Sequence, residues 1–492
     1  MVERRIFGIT FGHEPEKQVL LAWPESRRSP EDLIRRLDLP PGLEEGLEDH
    51  QKKVLDYLVR AACGFAAVFA AQDATEESSF YPQGVTREEV LQAIEDNPGI
   101  GIDSPYTLVD RDANGIWSTR PMHQVYAQLI KDNQVREHLK QAASLATKGS
   151  DNDSALRLIL IAREKAFETG DFKESEEFQI TNAVEPKVSI KIGFDDTYDE
   201  PILGTKARAQ AWVDILDESR TDVARHYVES YLKWRRQRTH KQLRPVRVRA
   251  GYAKVMTGQA ALFEWSANSQ PFREEWREEW GSKIYVFLNS FERNIQREIP
   301  VIRGLAHLDG VSDDAIMDII FQKLIYHETA HSEIPKGVKK RLGRFAQPLK
   351  ELCCDLLALQ AISKISSDDD KRKEIAILSV FAQGILGYVQ YLADRRRPQY
   401  YVGKSSMGSY CAQRGSVTIG EDSLRMDVDG VYAHLSGFLG EVKNIIAHGT
   451  VRSAEDLFDT HFDPAIYNRL ASKAYEQPMF LAKDNGPKVA SL

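Results

Sequence analysis

The sequence predicts an α+β protein that is predominantly helical, with a mixed front half holding a small sheet and a helical back half. Three observations carry this. Apolar residues recur at helical spacing, as at Val54, Leu55, Leu58, Val59 and Ala62. Further on the period drops to two: Val188, Ile190 and Ile192 alternate with Lys187, Ser189 and Lys191. And 42% of the 492 residues are hydrophobic against 28% charged, an ordinary globular balance with room for about two to four domains.

Residues 1–45 are mixed, and Leu39-Pro40-Pro41-Gly42 marks a boundary. Leu47 to Ala71 reads as a helix. Its apolar run, Ala61 to Ala71, has about half the ~20 residues a membrane span needs, so a buried helix is expected. Two basic residues near the N-terminus lack a sustained apolar run after them, so no secretory leader is expected. Phe80-Tyr81-Pro82-Gln83 is a turn, and Thr86-Arg-Glu-Glu89 is a capping box. Residues 121–146 and 154–169 read as helices. Residues 188–192 read as a half-buried strand, and a long helical pattern follows over 205–238. Two more strand-like runs lie at Val246–Arg249, with Arg247 and Arg249 expected to face outward, and at Ile284–Asn289. Trp276 and Trp280, i and i+4 among charged residues, form a packing stripe. From Asp313 the pattern is mostly helical, broken at 366–373 and by the Gly/Ser/Tyr-rich 399–415. No internal repeat is visible.

Lys plus Arg total 65 and Asp plus Glu 73, a net charge of −8, which argues against general nucleic-acid binding. The eight Lys and Arg residues between Lys233 and Arg249 read as a solvated helix end and an exposed strand. Four cysteines build no disulfide framework, and the adjacent Cys353 and Cys354 could pair only under severe strain. A reducing cytoplasm is the expected compartment. There is no glycine-rich phosphate loop, and His123, His307 and His434 read as packing or surface residues.

The strongest local signal is Tyr326-His327-Glu328-Thr329-Ala330-His331, an HExxH following an apolar helical stripe. Histidines at i and i+4 share a helix face and can share one Zn²⁺, with Glu328 placed as general base beside the open position. The bare motif is also compatible with a surface or core histidine pair. Catalytic zinc needs a third protein ligand, and Glu351 follows twenty residues later in Pro348-Leu-Lys-Glu351-Leu-Cys-Cys-Asp355. Glu351 and Asp355 share a face beside an apolar stripe, where acids need compensation. A metal supplies it if Glu351 ligates and Asp355 accepts the free N–H of a ligating histidine; an exposed acidic face is the plainer alternative. Cys353 and Cys354 are expected to point away from Glu351 and to pack.

These residues resemble the zinc peptidases of the dipeptidyl peptidase III family, as a divergent, short bacterial-type or fungal-type member. HExxH followed by ExxxD carries most of the likeness. Ile190-Lys-Ile-Gly193-Phe194-Asp-Asp196-Thr-Tyr198-Asp199 resembles the family's "IGxxExYxD" turn, and weaker matches run collinearly from about Leu47 to Val451. The resemblance implies two lobes flanking a wide cleft: 1–216 with 250–295 as a lower mixed lobe containing a small sheet or barrel, and 217–249 with 296–492 as an upper helical lobe. It implies one Zn²⁺ on His327, His331 and Glu351, and removal of dipeptides from the N-terminus of short peptides. Tyr198 would assist the oxyanion. Asp196, where the family has glutamate, would hold the substrate amine. Asn268 would bind peptide backbone, while Trp265 replaces the partner asparagine and Tyr400 stands near the place of a family histidine. These departures leave open a small-molecule substrate handled by proton transfer, elimination or cyclisation, or a non-catalytic zinc protein. No nucleic-acid or membrane partner is expected, and the chain is expected to be a monomer or weak homodimer.

Overall fold

A computed structural model describes residues 29–73, 80–146, 151–196, 200, 202–239, 243–306, 308–394, 398–419, 424–463 and 465–466. The fold is α+β and predominantly helical, with one mixed sheet and two small hairpin sheets among the described residues. The chain divides into two compact units. One comprises Pro24–His226 and Arg244–Phe291, and the other contains Tyr227–Leu243 and Glu292–Leu492.

The first unit holds a six-stranded sheet. Its order is Val188–Asp196, Arg208–Leu216, Val246–Gly258, Ser282–Phe287 and Ala267–Gln270, with Ile34–Arg36 also pairing to Val246–Gly258. All pairings are antiparallel except that of Val246–Gly258 with Ser282–Phe287. The 25-residue helix Asp49–Asp73 packs on the sheet, with Phe65 and Phe69 buried and Phe65 edge-on to Phe194 at 5.7 Å. Its length and hydropathy match a membrane span better than its apolar run alone indicated. Its buried residues join the hydrophobic core of this unit, the place of a core helix. The capping box forms, Thr86 accepting from Glu89 N–H while the Glu89 carboxylate accepts from Thr86 N–H. Trp276 and Trp280 are buried and stacked, ring centres 5.5 Å apart.

Several expectations for the strands fail for one physical reason: the central part of the sheet is covered on both faces. Arg208–Leu216, read from sequence as the start of a long helix, is a strand buried at every position, and the helix begins only at Glu218. A strand buried on both faces loses the alternation that identifies strands. Val188–Asp196 is not half-buried either. Lys191 is fully buried and pairs with Glu176, which Arg163 also holds, and Asp195 lies 3.7 Å from both cations. Likewise Arg249 does not face outward. Its Nε donates to Asp214 at 2.7 Å, its Nη1 donates to the Pro186 carbonyl at 2.6 Å, and Lys283 pairs with Glu185 at 2.7 Å beside it. Each cluster holds two cations and two anions, so each is neutral. Burial by itself would push Glu176 up, but Lys191 and Arg163 hold it down at about 2. The helix read over 121–146 is broken into Met122–Val125, Ala127–Asp132 and Val135–Leu145, with Gln134 left-handed between the last two.

The second unit is built of helices around Ala346–Ile365, whose residues from Pro348 to Leu359 are all buried. Asp313–Ala330, Asp370–Asp394, Pro398–Gln413 and Val428–His448 pack against it. The stretch 399–415, expected to interrupt the helices, lies mostly within Pro398–Gln413. Its small residues serve packing. A Cβ on Gly403 would lie 3.3 Å from Leu352 Cβ and from the Pro348 carbonyl oxygen, and Ser405, Ser406 and Ser409 are fully buried. Glycine here lets two helix backbones approach.

Replacing Lys191 with Met leaves Glu176 and Asp195 under-compensated. The expected cost is about 3–5 kcal/mol in denaturant titration. Lys187→Met, at a partly exposed position of the same segment 3.8 Å from Glu218, is expected to change stability by less than about 0.5 kcal/mol.

Candidate metal centre

Two helices bring the centre together. Asp313–Ala330 starts cleanly, with Ser312 capping Ala315 N–H and Asp313 and Asp314 complementing its positive end. His327 and Glu328 occupy its last turn. His331 falls just beyond it, in the 3₁₀ turn His331–Glu333. The four-residue spacing still places both rings together, their centroids 5.0 Å apart and nearly perpendicular. This turn is anchored from behind. Glu333 accepts from Tyr231 O–H at 2.6 Å and from Arg235 Nε at 2.7 Å, and Ser332 O–H donates to the Thr329 carbonyl at 2.7 Å.

Glu351 enters from Ala346–Ile365. Its Oε2 lies 3.1 Å from His327 Nε2, its Oε1 lies 3.9 Å from His331 Nε2, and Gln347 Nε2 donates to Oε1 at 2.5 Å. One donor atom from each of His327, His331 and Glu351 falls within 4.8 Å of the others. Four-coordinate zinc with bonds near 2.0–2.1 Å sets its ligand atoms about 3.3 Å apart, so this cluster is of the right size. The donor set, two imidazole nitrogens and a carboxylate, is also one that zinc takes. His327, Glu328 and Glu351 are all buried, and His331 is partly so.

With Nε2 of each histidine turned inward, each Nδ1 carries the proton and needs an outer acceptor. His327 Nδ1–H donates to Asp355 Oδ1 at 2.9 Å, and Lys404 Nζ donates to Asp355 Oδ2 at 2.8 Å. Burial alone would raise the Asp355 carboxyl. Lys404 and His327 overcome this and hold it far below the usual carboxylate range. His331 Nδ1 faces Cys354 Sγ at 3.4 Å. The expectation that both cysteines point away from Glu351 therefore fails for Cys354. It is three residues on from Glu351, and residues at i and i+3 share a helix face. Beside this lies a second buried string. Lys323 Nζ donates to Gln383 Oε1 at 3.1 Å, and Gln383 Nε2 donates to Glu298 at 3.0 Å.

The charges favour a divalent cation. With both histidines neutral, as metal ligation requires, Glu328, Glu351 and Asp355 contribute three negative charges and Lys404 one positive, leaving −2. Without a metal, burial alone would lower the His327 pKa, but Asp355 and Glu351 outweigh it and push it up to about 10, so the ring takes a proton in the ion's place. A buried surplus of two negative charges is costly without a counter-ion.

Lys404 lies in the stretch read from sequence as a break, and nothing in the pattern singled it out. Cys354 was legible from its spacing. The other sequence candidates are placed as follows. Tyr198 lies outside the described residues. Asp196 ends the strand Val188–Asp196 and Tyr400 opens the helix Pro398–Gln413, but their side chains are outside the described set. Asn268 is on the strand Ala267–Gln270, where its Oδ1 accepts from Gln270 Nε2 at 2.5 Å. Trp265 is 8% exposed in a core cluster, edge-on to Trp212 at 6.4 Å.

Lys404→Met is expected to cost about 3–5 kcal/mol in denaturant titration, since it strands a buried carboxylate. In a double-mutant cycle, Lys404→Met with Asp355→Asn should cost less than the sum of the single changes.

No protein-family model and no curated protein matches the chain. Solved structures do. Dipeptidyl peptidase III from Caldithrix abyssi aligns with a TM-score of 0.72 and 17% identity, over 90% of this chain and 95% of that one. The dipeptidyl-peptidase III of Corallococcus sp. strain EGB aligns at 0.74 and 18% identity, over 89% and 93%. The likeness spans both units and almost the full length of each relative: this chain has the fold of dipeptidyl peptidase III.

Proposed function

We propose that the protein is a zinc-dependent hydrolase that cleaves short peptides near their N-terminus. The observation that carries this is the convergence of His327, His331 and Glu351, each buried or partly so, with Glu328 beside them, in a chain of this fold. The lobe boundaries implied by the family resemblance, 1–216 with 250–295 and 217–249 with 296–492, belong to the same proposal. So do short peptides or another small molecule as the partner, without nucleic acid or membrane. The four cysteines are free, in keeping with a cytoplasmic location.

His327, His331 and Glu351 would hold the zinc. When bound there, the ion supplies Lewis-acid polarisation of a carbonyl and lowers the pKa of water toward ~7. The chain's own residues do the rest. Asp355 fixes the His327 ring so that Nε2 presents its lone pair. Glu328, one residue after the first histidine, takes the proton from the attacking water and passes it to the leaving amine. Tyr198 donates its O–H to the developing oxyanion. Asp196 receives the substrate's terminal ammonium, and Asn268 pairs with peptide backbone. Tyr400 and Trp265 are assigned to the substrate side on the resemblance alone.

Glu328→Gln is the direct test. The variant is expected to keep one zinc per chain and to lose peptide hydrolysis by at least about 10²–10⁴-fold. Unimpaired turnover would sink the assignment. Chelation should abolish hydrolysis by the wild type and added zinc should restore it. Peptides with an acetylated N-terminus should be poor substrates if Asp196 reads the ammonium.

A further inference from the structure

The outer nitrogens of the two histidines of the centre meet different groups. His327 donates its outer N–H to Asp355, a carboxylate that Lys404 in turn neutralises. His331 has Cys354 Sγ at its outer nitrogen, 3.4 Å away, within the reach of a sulfur hydrogen bond. Both outer partners stand next to each other on Ala346–Ile365, the helix that also supplies Glu351. One turn of helix thus presents a carboxylate toward the metal position and one outer acceptor to each ring.

We propose that Cys354 is a positioning residue that selects the tautomer in which His331 can bind a metal. This rests on the metal-centre reading above. For Nε2 to offer a lone pair, the ring proton must sit on Nδ1. A proton on Nδ1 in a buried environment needs an acceptor, and an unmet donor there would favour the other tautomer. Sγ of Cys354 is that acceptor. The side chain is fully buried, so the thiol is shielded from solvent and oxidants and can fill a fixed role. Unlike Asp355 it brings no formal charge. A second carboxylate behind His331 would take the buried balance, in which Lys404 is already counted, from −2 to −3, one more than a divalent ion offsets. A thiol gives the ring an acceptor and leaves the charge count unchanged.

The test compares side chains that keep either the acceptor or the apolar volume. Cys354→Ser keeps an acceptor in a slightly smaller side chain, and Cys354→Val keeps a buried apolar group and removes the acceptor. Zinc affinity of the metal-free full-length proteins is measured by competition with a chromophoric chelator. The tautomer of His331 is read from ¹⁵N-labelled histidine spectra of the same samples. The expected result is a loss of zinc affinity of about 10–100-fold in Cys354→Val, with the His331 proton moved toward Nε2. Cys354→Ser should stay within about threefold of wild type and retain the Nδ1–H signal. Should Cys354→Val not fold, Cys354→Ala replaces it in the same comparison. Wild-type affinity and tautomer in the Val or Ala protein would overturn the proposal. Equal losses in the Ser and Val proteins would overturn it too, because keeping the acceptor would then make no difference. Failure of the wild type to bind zinc would overturn the metal-centre reading itself, and the proposal with it.

Discussion

The bond on which the helical unit turns is the one between Lys404 and Asp355. It joins a lysine on Pro398–Gln413 to a carboxylate on Ala346–Ile365 that holds His327 of Asp313–Ala330. Three helices therefore meet through one buried acid. A carboxylate in such a place is costly unless charge and hydrogen bonds answer both of its oxygens, and here each oxygen has its own partner. Gly403 makes the arrangement possible, since the close approach of its helix to Leu352 and Pro348 brings the next residue, Lys404, against the acid helix. The architecture and the chemistry are not separable at this point. The same contact orders the helices and fixes the ring that faces Glu351.

Much of the centre was legible in the sequence because its key residues are local. His327, Glu328 and His331 lie within one turn, and Glu351 and Asp355 within another, so spacing alone assigns them a shared face. Cys354 was equally legible from its i+3 relation to Glu351, but both cysteines were assigned to other faces of the helix and to packing. Lys404 was not legible. Its partner is 49 positions away, and its neighbours Gly403, Ser405 and Ser406 carry the composition of a turn while packing as a helix. Composition reports small residues, and small residues serve both ends.

In the sheet unit the reading failed for a related reason. Periodicity identifies a strand when one face meets water, and the central strands of this sheet are covered on both. Arg208–Leu216 consequently looked continuous with the helix after it, and Lys191 and Arg249 looked like outward positions. Both cations are instead compensated by acids distant in sequence, Glu176 for the first and Asp214 for the second. Such pairings are tertiary facts. A charged residue in an apolar strand announces that it needs a partner and does not say which one. The capping box at Thr86 and the Trp276–Trp280 stack were readable because each is complete within a few residues.

The clustering of Glu351, Cys354 and Asp355 within a single turn has a consequence for how this chain can diverge. Each residue of an α-helix turns the face by about 100°. Deleting or inserting one residue between Glu351 and Asp355 would swing part of the set away from both histidines at a stroke. Substitutions, by contrast, can be absorbed one contact at a time. The positions between these three residues are thus freer to change in identity than in number. An identity of under a fifth to proteins of the same fold is compatible with such a constraint.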